Sequence, residues 1–166
     1  MNNFPTDCQF TLVGLFPLTT NKPLLEKTET STDRITIVAE FPHINRESLF
    51  DLWTDPDLLK KWWPPLAELE PKLGGKYHFS WPNQDWHLRG KYTMVRRGEK
   101  LGFTWKWDHE SVNETRVTVS FVSLPQNGTR LTLQHEGYAK NKEDRKIRDE
   151  QIESWMFFLG KLQETT

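Results

Sequence analysis

The sequence predicts an α+β fold in which a curved antiparallel sheet packs against one long C-terminal helix. Two observations support this prediction. Apolar and polar residues alternate along a series of short segments between residues 76 and 135, which is the period of strands with one buried face. After Gly137, apolar residues recur at helical spacing as far as Leu162. A chain of 166 residues with 36% hydrophobic residues is long enough for a single compact domain.

The segment after residue 33 predicts a strand followed by two short helices. Residues 34–41 are rich in β-branched side chains and are followed by Pro42, which is expected to end the strand. Asn45 is a good N-cap for a first helix. Asp55 is expected to cap a second helix, because Pro56 suits the first helical position. The prolines at 64 and 65 predict the end of that helix.

The other strands follow from alternation between turn signals. The alternating segments are 76–81, 86–94, 101–107, 117–121 and 131–135. Asn127-Gly128 is typical of a hairpin turn before the last of these strands.

The closing helix is expected to start at Asn141 and Asp144, which resemble a capping pair. Its apolar stripe consists of Ile152, Trp155, Met156, Leu159 and Leu162. A helix of about twenty residues spans roughly 30 Å, so this one is expected to cross the whole sheet.

Residues 1–32 are predicted to form an N-terminal extension ahead of a domain at 33–166. An apolar run at 10–18 is interrupted by Pro17 and preceded by Asp7, which argues against a secretory signal. Two alternatives remain: a loose tail, or an extra strand from Gln9 to Phe16. We expect part of the run to be ordered, since its burial would stabilise the fold by roughly 1.5 to 3 kcal/mol for each large apolar side chain.

Composition limits the classes of partner and compartment. The net charge of −1 and the absence of a basic stripe argue against nucleic acid. No stretch approaches the length of a membrane span. The single cysteine, Cys8, cannot form an internal disulfide, which indicates a reducing compartment and a cytoplasmic protein.

Metal, cofactor and nucleophile motifs are missing from the sequence. The five histidines include no pair at i, i+4, so no metal site is expected. No nucleophile elbow or phosphate-binding glycine loop is present, so we assign no catalytic residue and no cofactor. His78 and His87 fall on the polar side of their strands. His135 continues the inward register of Leu131 and Leu133, and is either a hydrogen-bonded core histidine or a polar anchor for a ligand.

Several short motifs, in this order, resemble the SRPBCC superfamily and, within it, the heat-shock-protein-90 ATPase-activator-like domains. They are Trp62-Trp63-Pro64, Gly74-Gly75-Lys76-Tyr77-His78-Phe79, Gly90-Lys91-Tyr92, Leu101-Gly102-Phe103-Thr104-Trp105, Thr129-Arg130-Leu131-Thr132-Leu133-Gln134-His135 and the closing segment Trp155 to Leu162. The resemblance covers residues 34–162 and implies a helix-grip fold. It also implies a cavity between sheet and closing helix, where relatives bind lipids, hormones or polyketides. Ser154 departs from the family pattern, in which a glycine commonly precedes the closing-helix tryptophan.

Side chains predicted to face this cavity are mostly aromatic. Gly90 is expected to widen it because it has no side chain. The predicted cavity residues are Trp53, Trp62, Phe79, Trp81, Gly90, Tyr92, Phe103, Trp105, Phe121, Leu133, His135, Ser154, Trp155 and Phe158.

Three functions are consistent with this pattern. The first is non-catalytic binding of a small hydrophobic or aromatic molecule in the cavity. The second is a co-chaperone-like interaction module that docks a chaperone or another protein. The third is an enzyme similar to polyketide cyclases and aromatases, using His135 and Tyr92.

Overall fold

The computed structural model describes residues 22–166, and this part of the chain forms an open eight-stranded antiparallel sheet packed against a long helix. The strands are β1 (Leu25–Ser31), β2 (Arg34–Phe41), β3 (Leu66–Leu69), β4 (Lys76–Trp81), β5 (Trp86–Arg96), β6 (Lys100–Trp107), β7 (Thr115–Leu124) and β8 (Gly128–Glu136). The helices are α1 (Arg46–Thr54), α2 (Pro56–Leu59) and α3 (Lys142–Thr165). The order in the sheet is β1-β2-β8-β7-β6-β5-β4-β3. The predicted α+β helix-grip architecture is confirmed.

Strand β1 was not predicted, because patterning placed residues 25–31 in the N-terminal extension. It pairs antiparallel with β2, with Leu25 opposite Ala39. Its sequence lacks a clear apolar alternation, because several of its side chains are polar and exposed. Gln163 of α3 donates hydrogen bonds to the carbonyl oxygens of Leu24 at 2.8 Å and Glu40 at 2.9 Å. The predicted strand from Gln9 to Phe16 lies outside the described residues.

The helix starts follow the predicted capping residues. The Asn45 side chain accepts from the Ser48 amide at 2.8 Å, and Asp55 caps α2 in the same way. At α3, Asn141 accepts from the amide of Asp144 at 2.8 Å. These bonds satisfy amide hydrogens that have no partner inside the helix. No helix in residues 22–166 has both the length and the apolar character needed to cross a bilayer.

The alternation of β5 changes partway along the strand. A bulge lies between Tyr92 and Met94 in the pairing with β6. Beyond it Val95 packs against the core, so the inward register predicted as far as Met94 holds only to Tyr92. A bulge inserts one residue and moves the following side chains to the other face.

The turn between β7 and β8 lies one residue earlier than predicted. Gln126 and Asn127 have positive φ angles of 59° and 62°. Gly128 is instead the first residue of β8 and pairs with Leu124. Asparagine tolerates the left-handed region well, which explains why the turn does not need Gly128.

Gly160 in α3 is a place where a side chain would stabilise the protein. An added Cβ would meet only the Leu25 side chain, at an ordinary contact distance of 3.7 Å. Glycine destabilises a helix interior by about 0.5–1 kcal/mol relative to alanine. We therefore expect Gly160→Ala to raise the free energy of unfolding in urea by that amount. A loss of stability would show that α3 packs more tightly on β1 than this distance indicates.

Candidate functional site

A pocket lined mainly by indoles lies between the middle of α3 and strands β4, β5 and β6. Its volume is about 100 Å³. The lining residues are Trp63, Trp81, Trp86, Trp105, Trp107, Gln151, Ser154, Trp155 and Phe158. We refer to these nine residues as the indole pocket.

The cavity residues proposed from the sequence divide into two groups. Trp81, Trp105, Ser154, Trp155 and Phe158 line the indole pocket. The other nine lie in the packed interior or on the strands that border it: Trp53, Trp62, Phe79, Gly90, Tyr92, Phe103, Phe121, Leu133 and His135.

Four pocket residues were missed, and three of them carried a usable signal. Trp86 and Trp107 share the predicted inward registers of β5 and β6, and Gln151 precedes Trp155 by one helical turn. Trp63 follows Trp62 in a tight segment after α2, where periodicity does not indicate which side chain faces the sheet.

Stacked indoles form one wall of the pocket. The rings of Trp63 and Trp105 are nearly parallel, with centroids 5.7 Å apart and an interplanar angle of 14°. Trp155 contacts both of them, with centroids 5.1 Å away in each case. Such aromatic contacts make this wall rigid and apolar.

His135 is fully buried beside this wall, which confirms its predicted inward register. Its Nδ1 accepts a hydrogen bond from Trp155 Nε1 at 3.2 Å, and its Nε2 lies 2.7 Å from Thr115 Oγ1. Because an indole N–H only donates, Nδ1 carries no proton, and Nε2–H donates to the threonine. Burial lowers the pKa of His135 to about 3. His135 is thus a neutral core histidine that holds the Trp155 ring.

His135 and Tyr92, the pair proposed for an enzymatic role, share no ring contact or hydrogen bond in the described part of the chain. The His135 ring contacts Trp105, Tyr138 and Trp155. The Tyr92 ring contacts Tyr77 and Phe103 instead. Both nitrogens of His135 are already used inside the protein, so neither is available for proton transfer.

A second buried polar pair adjoins the pocket. The Tyr138 hydroxyl donates to Gln151 Oε1, and both side chains are buried. Burial raises the pKa of Tyr138, so this hydroxyl stays protonated. Trp105 Nε1 is buried and has no hydrogen-bond partner among the described residues.

Gly90 permits close packing of the Tyr77 ring. The Tyr77 ring lies over it, and the Tyr77 hydroxyl donates to the Thr104 carbonyl oxygen at 2.6 Å. An added Cβ would lie 2.2 Å from that oxygen and 2.5 Å from Tyr77 Cε1. The tyrosine fills the space that the missing side chain leaves, so Gly90 does not widen the indole pocket. Gly90 instead borders a separate open groove of about 550 Å³ together with His78 and Arg89.

Deeper in the core there is almost no free volume. The gap bordered by Trp53, Tyr77, Tyr92 and Phe103 measures only about 10 Å³, at the lower limit of the space that one water molecule needs. The aromatic side chains of this region therefore serve as core.

His78 and His87 form a hydrogen-bonded pair on the outer side of β4 and β5. His78 Nε2 lies 2.9 Å from His87 Nδ1, and His87 Nε2 lies 3.2 Å from Asp85 Oδ1. Desolvation and the neighbouring Arg89 lower the pKa of His78. Within residues 22–166, no group of three His, Cys, Asp or Glu side chains is placed to hold a metal ion.

Solved structures share this fold. A protein of Rhodobacter sphaeroides is 20% identical and has a TM-score of 0.69, over 86% of this chain and 97% of the other. An HSP90 activator from Plasmodium falciparum is 24% identical with a TM-score of 0.62, over 80% and 95%. CalU16 from Micromonospora echinospora is 16% identical with a TM-score of 0.62, over 86% and 85%. At these identities the likeness shows the fold alone.

Sequence comparison gives the family. No curated protein matches the chain. The family model of Activator of Hsp90 ATPase homolog 1-like protein matches residues 43–166, which include α1 and every element after it. The chain belongs to the family of Activator of Hsp90 ATPase homolog 1-like proteins.

Proposed function

We propose that this protein binds a small aromatic molecule in the indole pocket. The observation that supports the proposal is the contrast between this pocket and the rest of the interior. About 100 Å³ of space borders six indoles and Phe158, whereas the gap deeper in the aromatic core measures about 10 Å³. An apolar concave site with a few polar groups is the usual form of a small-molecule site.

The volume indicates the size of the ligand. An apolar cavity of about 150 Å³ in another protein admits benzene. At about 100 Å³ this pocket is smaller but open at its rim, where Trp86 is exposed, so it suits one small flat ring system that is only partly enclosed. Ring stacking on Trp63, Trp105 or Trp155 favours a flat molecule over a branched one.

Binding of indole tests this proposal. Indole added to the ¹⁵N-labelled protein is expected to shift the Nε1–H resonances of pocket tryptophans and to raise the melting temperature. Ser154→Phe places a ring at the pocket wall and is expected to weaken binding by about tenfold or more. Glu153→Phe is the matched control, because it adds the same ring at the adjacent position of α3, which is exposed and does not line the pocket. Indole binding that survives Ser154→Phe unchanged would place the ligand elsewhere.

A second candidate function is docking of a protein partner on the apolar rim of the pocket. Phe157 is 60% exposed and packs on Phe158, and Trp86 is 46% exposed. The solved relative from Plasmodium falciparum is an HSP90 activator, so Hsp90 is the partner to test. If docking is the function, the protein is expected to raise the ATPase rate of Hsp90, and Phe157→Ser is expected to reduce that effect. An unchanged ATPase rate would favour the small-molecule function.

A further inference from the structure

We propose that the indole pocket selects neutral aromatic carbonyl compounds, because the free polar groups in its buried part are hydrogen-bond donors. This inference rests on the proposed ligand-binding function and adds the chemical class of the ligand.

Gln151 supplies these donors. Gln151 lines the pocket and is only 7% exposed. The Oε1 atom accepts a buried hydrogen bond from the Tyr138 hydroxyl. The amide Nε2 group has no hydrogen-bond partner among the described residues and is not sealed from solvent, so it is free to donate to a molecule in the pocket.

Tyr138 fixes the direction of this amide. Its hydroxyl stays protonated because burial raises its pKa. If the amide turned over, the tyrosine O–H would lose the one acceptor it has among the described residues. A buried hydroxyl without an acceptor is costly, so Tyr138 acts as a positioning residue that keeps the N–H groups of Gln151 available.

The indoles offer no acceptor, because an indole nitrogen only donates. Trp105 Nε1 has no partner among residues 22–166, but it is sealed from solvent, so a ligand in the pocket does not reach it. Trp155 Nε1 is already used by His135. Ser154 lies at the exposed rim and donates to the Glu150 carbonyl oxygen at 3.1 Å. Its hydroxyl oxygen can still accept a hydrogen bond, but only at the rim.

The charge of a ligand limits further which compounds the pocket can bind. Among residues 22–166, no lysine or arginine lines the pocket, so a carboxylate ligand would enter without a counter-ion from this part of the chain, which is unfavourable in an apolar site. A ligand cation would be attracted by the indole faces, but it could not accept a hydrogen bond from Gln151. A ring that bears a neutral carbonyl accepts this hydrogen bond and places no unpaired charge in the pocket.

A pair of probes of nearly identical shape tests the inference. Acetophenone carries a carbonyl oxygen where α-methylstyrene carries a methylene group. We expect Gln151→Met to weaken acetophenone binding about tenfold, and to leave α-methylstyrene binding unchanged. Tyr138→Phe is expected to weaken acetophenone selectively as well, but by less, because the amide remains and only its orientation is lost. Dissociation constants from NMR titration of the Trp Nε1–H resonances give both ratios.

The double variant Tyr138→Phe/Gln151→Leu removes both hydrogen-bonding partners together and provides a folded alternative if the single variant at Gln151 is unstable. An equal loss for both probes, in any of these variants, would show that Gln151 only shapes the pocket and would overturn the inference. In that case the binding of α-methylstyrene by the wild-type protein would still support the proposed function. If neither probe binds the wild-type protein, the proposed function itself fails.

Discussion

The difference in the free energy of unfolding between the wild-type protein and a His135→Leu variant is expected to become smaller as the pH falls from 7 to 5. An imidazole in an unfolded chain takes up a proton near pH 6.5, whereas the folded His135 stays neutral down to about pH 3. The unfolded chain therefore binds more protons in this range, and acid destabilises the fold. The loss is at most about 1.4 kcal/mol for each pH unit below 6.5.

At pH 7 the same variant is expected to be less stable by about 3 kcal/mol. Leucine leaves the Trp155 N–H and the Thr115 hydroxyl without their partner in a dry interior, and each such loss costs about 1–3 kcal/mol. Urea denaturation at pH 5, 6 and 7 measures both effects. Adding Thr115→Val to the variant is expected to restore part of the stability, because it removes one of the two orphaned groups.

Comparison with the variant, rather than wild-type data alone, is necessary because Glu110 titrates in the same range with the opposite sign. Desolvation raises the pKa of Glu110 to about 7, against a smaller opposing effect of Lys106. In this pH range the folded chain binds more protons at Glu110 than the unfolded chain does. The contribution of Glu110 to stability therefore decreases as the pH rises. Taking the difference between the two proteins cancels Glu110. A gap that stays constant with pH would contradict the neutral, buried state of His135.

Gly90→Ala is expected to destabilise the protein by roughly 3 kcal/mol, at the upper end of the cost of overpacking. The new Cβ would lie 2.2 Å from the Thr104 carbonyl oxygen, and a backbone atom in the middle of β6 has little freedom to move. It would also displace the Tyr77 ring, which is hydrogen-bonded to the same oxygen. Thermal or urea unfolding measures the loss.

Gly160→Ala provides the control for this prediction, since the same chemical change is expected to stabilise α3. Opposite signs at the two positions would separate the steric clash from the general effect of replacing glycine on the entropy of the unfolded chain. A small effect at Gly90 would mean that β5 and β6 can separate locally without cost.

Alternation and capping signals were sufficient to predict most of the elements. Period-2 patterns predicted β4 to β8 because each has one face against the core. Asn45, Asp55 and Asn141 marked helix starts because their side chains bond to nearby amides. Strand β1 was missed because its pairing depends on β2, which lies across a turn, and its own side chains carry little apolar signal.

Local periodicity and capping by neighbouring residues were enough to predict the fold class, the order of most elements and the inward register of His135. The position of the free space depends instead on tertiary packing. Packing assigned most of the predicted cavity residues to a filled core, with the Tyr77 ring over Gly90. It also brought Trp63, Trp86, Trp107 and Gln151 together at α3. The volume left between side chains depends on how rings from distant segments fit together, and no local pattern encodes that fit.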